Sequence, residues 1–279
     1  LTDAQTAIYE KSFIFIRNYS LLWNFTKSLT GTYKADAYAV IDEPNRAPGG
    51  QEYKDTITAN LLKMGRLKTF EQNYNLNYKL PLDKIKILSW TTMDYTYSAG
   101  YGWVSGAIGA NGALGQRDTL GNAIRNKCDN SITAKIDLDK LYSKSKFLME
   151  MKNPKPELKK PNPKDTIPQP PNRTLLKAAF KTLMMIRNAN LTYTNSQSTT
   201  MGGYTQIPTY LGFKNNQNIE KMAPFVLGSQ NADFRTDAAK QGWISTARSL
   251  NILFMQNTTQ NLTARVNVEP FRDFKIVLE

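Results

Sequence analysis

Between Lys152 and Pro171 the chain gathers seven prolines and five lysines into KNPKPELKKPNPKDTIPQPP. Proline fixes φ and removes a ladder donor, so this tract builds neither a sheet interior nor a packed core. It reads as a stiff, solvated, positively charged excursion between two strand-rich parts. The organisation that follows is a strand-rich part with loops and a short terminal helix over 1–151, a Pro/Lys-rich linker over 152–171, an amphipathic helix over 172–188, and further strands with a long inter-strand loop over 189–279.

Period-two alternation carries the strand assignments. In FIFIRNYSLLWNFT, from Phe13 to Thr26, Tyr19, Leu21, Trp23 and Phe25 share one face, while Asn18, Ser20, Asn24 and Thr26 share the other. A short turn at Lys27-Ser28-Leu29 leads into Tyr33, Ala35, Ala37 and Ala39, which predicts a hairpin. DEPNRAPGG, from Asp42 to Gly50, is a loop. From Phe70 to Leu80 the alternation is cleanest, with Tyr74, Leu76, Tyr78 and Leu80 opposite Asn73, Asn75 and Asn77. After Pro81 a second run from Ile85 to Trp103 is expected to pair with it, placing Tyr95 and Tyr97 opposite Asp94 and Thr96.

The glycine-dense stretch Gly100 to Gly121 lacks the GxxxxGK[ST] pattern and reads as an irregular loop rather than a phosphate cradle. Ile132 to Leu138 is a further strand, after which Asp139 caps a short helix over LYSKSKFLMEM. TLLKAAFKTLMMIR, from Thr174 to Arg187, spaces Leu176, Ala179, Phe180, Leu183 and Met184 as a helix does. Beyond it come a strand starting at NLTYT, a loop-like region from Gly202 to Gly242, and a strand–turn–strand unit around Pro270.

Composition narrows the chemistry. The formal net charge is +13 and histidine is absent, which removes the commonest general base and metal ligand. Lone Cys128 forms no internal disulfide and no cysteine metal site. Glu10, Asp36, Asp42, Glu43 and Asp118 are available carboxylates, but no spacing selects an acid and a base. The sequence therefore names no catalytic, cofactor-binding or metal residues, and no enzyme is expected. No run of eighteen apolar residues exists for a helical membrane span, a criterion that does not apply to strands.

Three segments, LYSKSKFLMEMKNPKP, LLKAAFKTLMMIRNANLTYT and LTARVNVEPFRDFKIVLE, together with GQRDTLGNAIRN and AAKQGWIS, resemble the SprA/Sov family, the outer-membrane translocon of the type IX secretion system in Bacteroidetes-type bacteria. The resemblance implies an internal fragment of a much larger chain, all-β with short helical insertions, forming part of a very large antiparallel transmembrane β-barrel in the outer membrane. It implies export of folded cargo bearing a C-terminal signal, and partners in the rest of the barrel chain, a smaller PorV-like lateral barrel, a periplasmic plug protein and outer-membrane lipid. It implies no nucleic acid and no cofactor. In such a barrel Tyr74, Leu76, Tyr78, Leu80, Tyr95 and Tyr97 face lipid or packed protein, while the intervening asparagines, Asp94 and Thr96 face a hydrated interior.

A second reading, from a different class, rests on charge and rings: a soluble or cell-surface β-rich module using basic and aromatic residues to bind acidic ligands, glycans or nucleic acid. Tyr95, Tyr97 and Trp103 are the rings it singles out. It requires aromatic side chains that are accessible beside cations.

Overall fold

The computed structural model describes residues 13–43, 50–106, 120–144, 149, 182–247, 250, 252–271 and 273–279. The Pro/Lys-rich linker and most of the helix expected after it lie outside the described residues. Eight strands form one antiparallel sheet in chain order: β1 (Phe13–Asn24), β2 (Leu29–Ile41), β3 (Arg66–Leu80), β4 (Thr91–Val104), β5 (Asn122–Asp137), β6 (Ile186–Tyr204), β7 (Met255–Phe271) and β8 (Phe274–Leu278). Helices among the described residues include α1 (Gln51–Leu62), α2 (Leu138–Lys144), α3 (Ile219–Val226) and α4 (Phe234–Lys240).

The first hairpin forms as its alternation predicts. Phe13 pairs with Ile41 and Asn24 with Thr30, and the Thr26 hydroxyl accepts from the backbone N–H of Leu29 at 3.0 Å to close the turn. The β3 alternation also holds. Asn75 donates to the Ser98 hydroxyl at 2.9 Å and the Thr96 hydroxyl donates to Asn77 at 3.0 Å on one face, while the Tyr33 and Tyr74 rings meet at 5.0 Å on the other. The partner of β3 begins at Thr91 rather than Ile85, because Leu82–Lys84 form a 3-10 turn and the chain re-enters the sheet only after Trp90.

Closure is where the expectation fails. Among the described residues β1 has β2 as its single strand neighbour and β8 has β7, so the sheet is open with two edges. A sheet edge is a row of N–H and C=O groups without ladder partners, and unpaired backbone groups in hydrocarbon cost several kcal/mol apiece. The transmembrane β-barrel, the translocon function and the outer-membrane location are corrected on that ground. Alternation records only that a strand has two unlike faces, which an open sheet and a barrel share.

The chain divides into two compact units, one over 1–76, 97–129 and 196–259 and the other over 77–96, 130–195 and 260–279. In the first, the region expected to be loop-like from Gly202 to Gly242 folds into α3 and α4 and supplies the core. The Asn218 side chain caps α3 by accepting from Lys221 N–H at 3.3 Å. Met222, Phe225 and Val226 then recur at helical spacing and bury against Tyr101 and Trp103 of β4 and Ile124 of β5. Phe225 stacks on Phe234 of α4 at 4.1 Å and meets the Tyr101 ring edge-on at 6.2 Å. Buried Asn126 of β5 ties the insertion down by donating to the carbonyls of Phe225 at 2.9 Å and Ser229 at 2.8 Å.

In the second unit the side chain that caps α2 is Asp137, which accepts from Lys140 N–H at 3.1 Å, not Asp139. Asp139 instead pairs with Arg187 at 2.8 Å, and Glu269 approaches the same guanidinium at 3.1 Å. The Asp139 hydrogen bond is the main reason the Arg187 pKa is raised. Pro270, expected in a turn, falls inside β7 where the β7–β8 register shifts. A bulge is where a residue without an N–H is tolerated in a strand.

Candidate functional site

On the face where β2 presents the small residues Ala35 and Ala37, β1 places Arg17, Tyr19 and Leu21. Their register partners are Ala37, Ala35 and Tyr33. Alanine opposite a long side chain leaves room above the sheet, and a cleft of about 690 Å³ opens there. Ala35 and Ala37 form its buried floor, Phe70 and Leu67 of β3 close one side, and Pro208 to Leu211 form a strap across it.

The strap is a tight turn. Phe213 N–H donates to the Tyr210 carbonyl at 2.7 Å, with Leu211 and Gly212 at φ 48° and 84°, both in the left-handed region. Glycine is required at the second position. A Cβ on Gly212 would stand 2.9 Å from Gln72 Nε2 and 3.0 Å from the Tyr101 ring. Gln72 is 0% exposed and fastens the strap: its Nε2 donates to the Leu211 carbonyl at 3.0 Å while its Oε1 accepts from the Tyr33 hydroxyl at 3.1 Å.

Arg17 gives the cleft its charge. Its Nη1 donates to Met64 Sδ, its guanidinium carbon lies 5.5 Å from the centre of the Phe15 ring, and its Nε is buried without a hydrogen-bond partner. Among the described residues no carboxylate pairs with it. A guanidinium stays charged at any physiological pH, so the cleft holds one uncompensated cation beside tyrosine rings. Burial raises the Tyr33 pKa, with Tyr19 adding to it, and burial pushes Tyr74 up to about 12. Those phenols remain neutral donors at neutral pH. Tyr19, Leu21 and Tyr210 are exposed at the cleft mouth.

Of the carboxylates available in the sequence, Asp36, Asp42 and Glu43 are engaged in structural contacts. Asp36 accepts from Asn18 at 2.7 Å, Asp42 accepts from Nε and Nη2 of Arg66 at 2.6 and 2.7 Å, and Glu43 accepts from Tyr53. Glu10 and Asp118 lie outside the described residues. Among the described residues no group of three metal-ligating side chains gathers. Cys128 is buried on β5.

The rings singled out from sequence are not an accessible platform. Trp103 is 1% exposed and donates to the Gln206 carbonyl at 3.0 Å, Tyr95 donates to Asn130 at 2.7 Å, and Tyr97 donates to the Leu227 carbonyl. In the Arg17 cleft the accessible rings are Tyr19 and Tyr210. Arg17 carried a signal, a charge in register with Tyr19 and Leu21 on an otherwise apolar strand face. Tyr210 carried none, since its position depends on Gln72, far away in the chain.

No protein-family model matches this chain, and no curated protein matches it in sequence. The resemblance to the SprA/Sov translocon is therefore corrected from two directions, by the open sheet and by the absence of a family match.

Proposed function

We propose that this chain is a β-rich binding module whose Arg17 cleft takes an anionic ligand with an aromatic or apolar body. The observation that carries the reading is Arg17 itself, a cation with an unpartnered Nε and no carboxylate partner among the described residues, in the wall of a largely apolar cleft. A cavity of this size suits a small organic ligand, and a few placed polar groups in an apolar lining are how such sites fix orientation. The anion answers the guanidinium fork, and the ligand body lies among Tyr19, Tyr33, Phe70 and Tyr210. The basic balance of the chain, +13, favours approach of an anion from a distance.

The test compares naphthalene-2-sulfonate with neutral 2-naphthol by calorimetric titration. The sulfonate should bind at least about tenfold more tightly, the worth of one charge-assisted hydrogen bond. Arg17→Gln should remove that preference while leaving 2-naphthol binding nearly unchanged. Equal affinities for the two probes, or a preference that survives Arg17→Gln, would refute the assignment.

A further inference from the structure

On the opposite face of the same sheet lies a second depression of about 500 Å³, built by a different device. Strand β4 alternates buried rings on its core face with Gly100 and Gly102 on this one. The missing side chains let two cations of β5 lie flat across β4. Lys127 Cε and Cγ stand 2.9 and 3.0 Å from where a Cβ on Gly100 would be, and Arg125 Nε and Cγ stand 2.7 and 2.9 Å from that of Gly102. Arg125 thereby reaches Glu71 on β3 and is neutralised by it. Lys127 points the same way, with Asn73 Oδ1 2.8 Å from the Gly100 Cβ position, yet has no carboxylate partner among the described residues. Ser198 and Thr200 of β6 complete the lining with hydroxyls.

We infer that this groove binds an acidic sugar, a polyhydroxylated ligand bearing one carboxylate, with Lys127 on the carboxylate and the Asn73 amide, Glu71 and the β6 hydroxyls on the sugar hydroxyls. Three features select that chemistry. The groove presents donors and acceptors together, which is what a ligand whose hydroxyls both donate and accept requires. Its net charge from Arg125, Lys127 and Glu71 is a single positive unit, matched to one carboxylate and opposed by Glu71 to a polyanion. Tyr101, its one aromatic neighbour, turns its ring to the core and meets Phe225 there, so no surface remains for stacking nucleic-acid bases. The site shares no residue with the Arg17 cleft, so either assignment stands without the other.

Titration of the chain with galacturonate, which carries one carboxylate, with its neutral counterpart galactose and with tripolyphosphate decides the matter. Galacturonate should bind more tightly than the other two, with an affinity that weakens modestly as salt rises. Lys127→Gln should weaken it about 10- to 100-fold, the range of one hydrogen bond to a charged group. Lys127→Arg should restore most of that loss, and Arg17→Gln should leave it unchanged. Lys127 is exposed, so the Lys127→Gln variant should keep the parent unfolding midpoint. The inference is overturned if galacturonate fails to bind or binds no better than galactose. It is equally overturned if Lys127→Gln leaves its affinity intact, or if tripolyphosphate binds more tightly, which would make this a phosphate site.

Discussion

Replacing Gln72 with leucine tests whether one buried amide couples the sheet to the strap over the cleft. Gln72 accepts from Tyr33 at 3.1 Å and donates to the Leu211 carbonyl at 3.0 Å, and is itself fully buried. Leucine fills similar space but makes neither bond. Each such bond contributes about 0.5–1.5 kcal/mol net, so Gln72→Leu should cost about 1–3 kcal/mol. Tyr33→Phe alone should cost about 0.5–1.5 kcal/mol, and should cost almost nothing in the Gln72→Leu background, where its acceptor is already gone. Urea unfolding followed by tryptophan fluorescence suits the measurement, because Trp103 and Trp243 lie in the core of the same unit. The Gln72→Leu variant should also lose several-fold affinity for naphthalene-2-sulfonate, since the strap is no longer held down. An equal cost for Tyr33→Phe in both backgrounds would refute the hydrogen-bonded chain.

Phe225→Ala removes a ring stacked on Phe234 at 4.1 Å and buried to 2% exposure, and should destabilise the first unit by about 3–5 kcal/mol; a loss under about 1.5 kcal/mol in the same urea assay would mean that α3 does not anchor the core. Burial pushes the Tyr204 pKa up to about 12, against the lowering effect of its bond with Gln217. Below about pH 10 the phenol is protonated whether the chain is folded or not. From there to about pH 12 only the unfolded chain releases that proton, so stability falls as pH rises, by about 2–3 kcal/mol from this group. Urea midpoints measured across that window should drop, and should drop less for Tyr204→Phe; a flat profile in the parent chain would contradict the burial.

Much of the sheet was legible because alternation is a local property. The β1–β2 hairpin and the two faces of β3 follow from spacing and turn length alone. The core was not, because α3 and α4 span eight and seven residues, too short for a helical period to stand out from a region rich in Gly, Asn and Gln. Helix α1 escaped for another reason: none of its residues is buried, so its sequence carries no apolar stripe. Arg17 was visible as a charge on an apolar face, whereas the roof of its cleft depends on a loop distant in sequence. Gly100 and Gly102 read as loop glycines, yet both lie within β4 and make space for cations on the next strand. Whether the sheet closes is a property of its edges, which alternation does not encode.

The strap and the core insertion also set the order in which this chain can become stable during synthesis. Gln72 and the Leu211 carbonyl it bonds are 139 positions apart. At about 5–20 residues per second, a ribosome needs roughly 7–28 s to make the chain between them. Tyr101, Trp103 and Ile124, on the core faces of β4 and β5, are made within that interval, whereas α3 and α4, which cover them, are made only after it. Contacts this remote slow folding and leave apolar strands open to wrong pairing. The nascent chain should therefore bind holdase chaperones until the segment through Trp243 emerges, and release them once α3 and α4 dock.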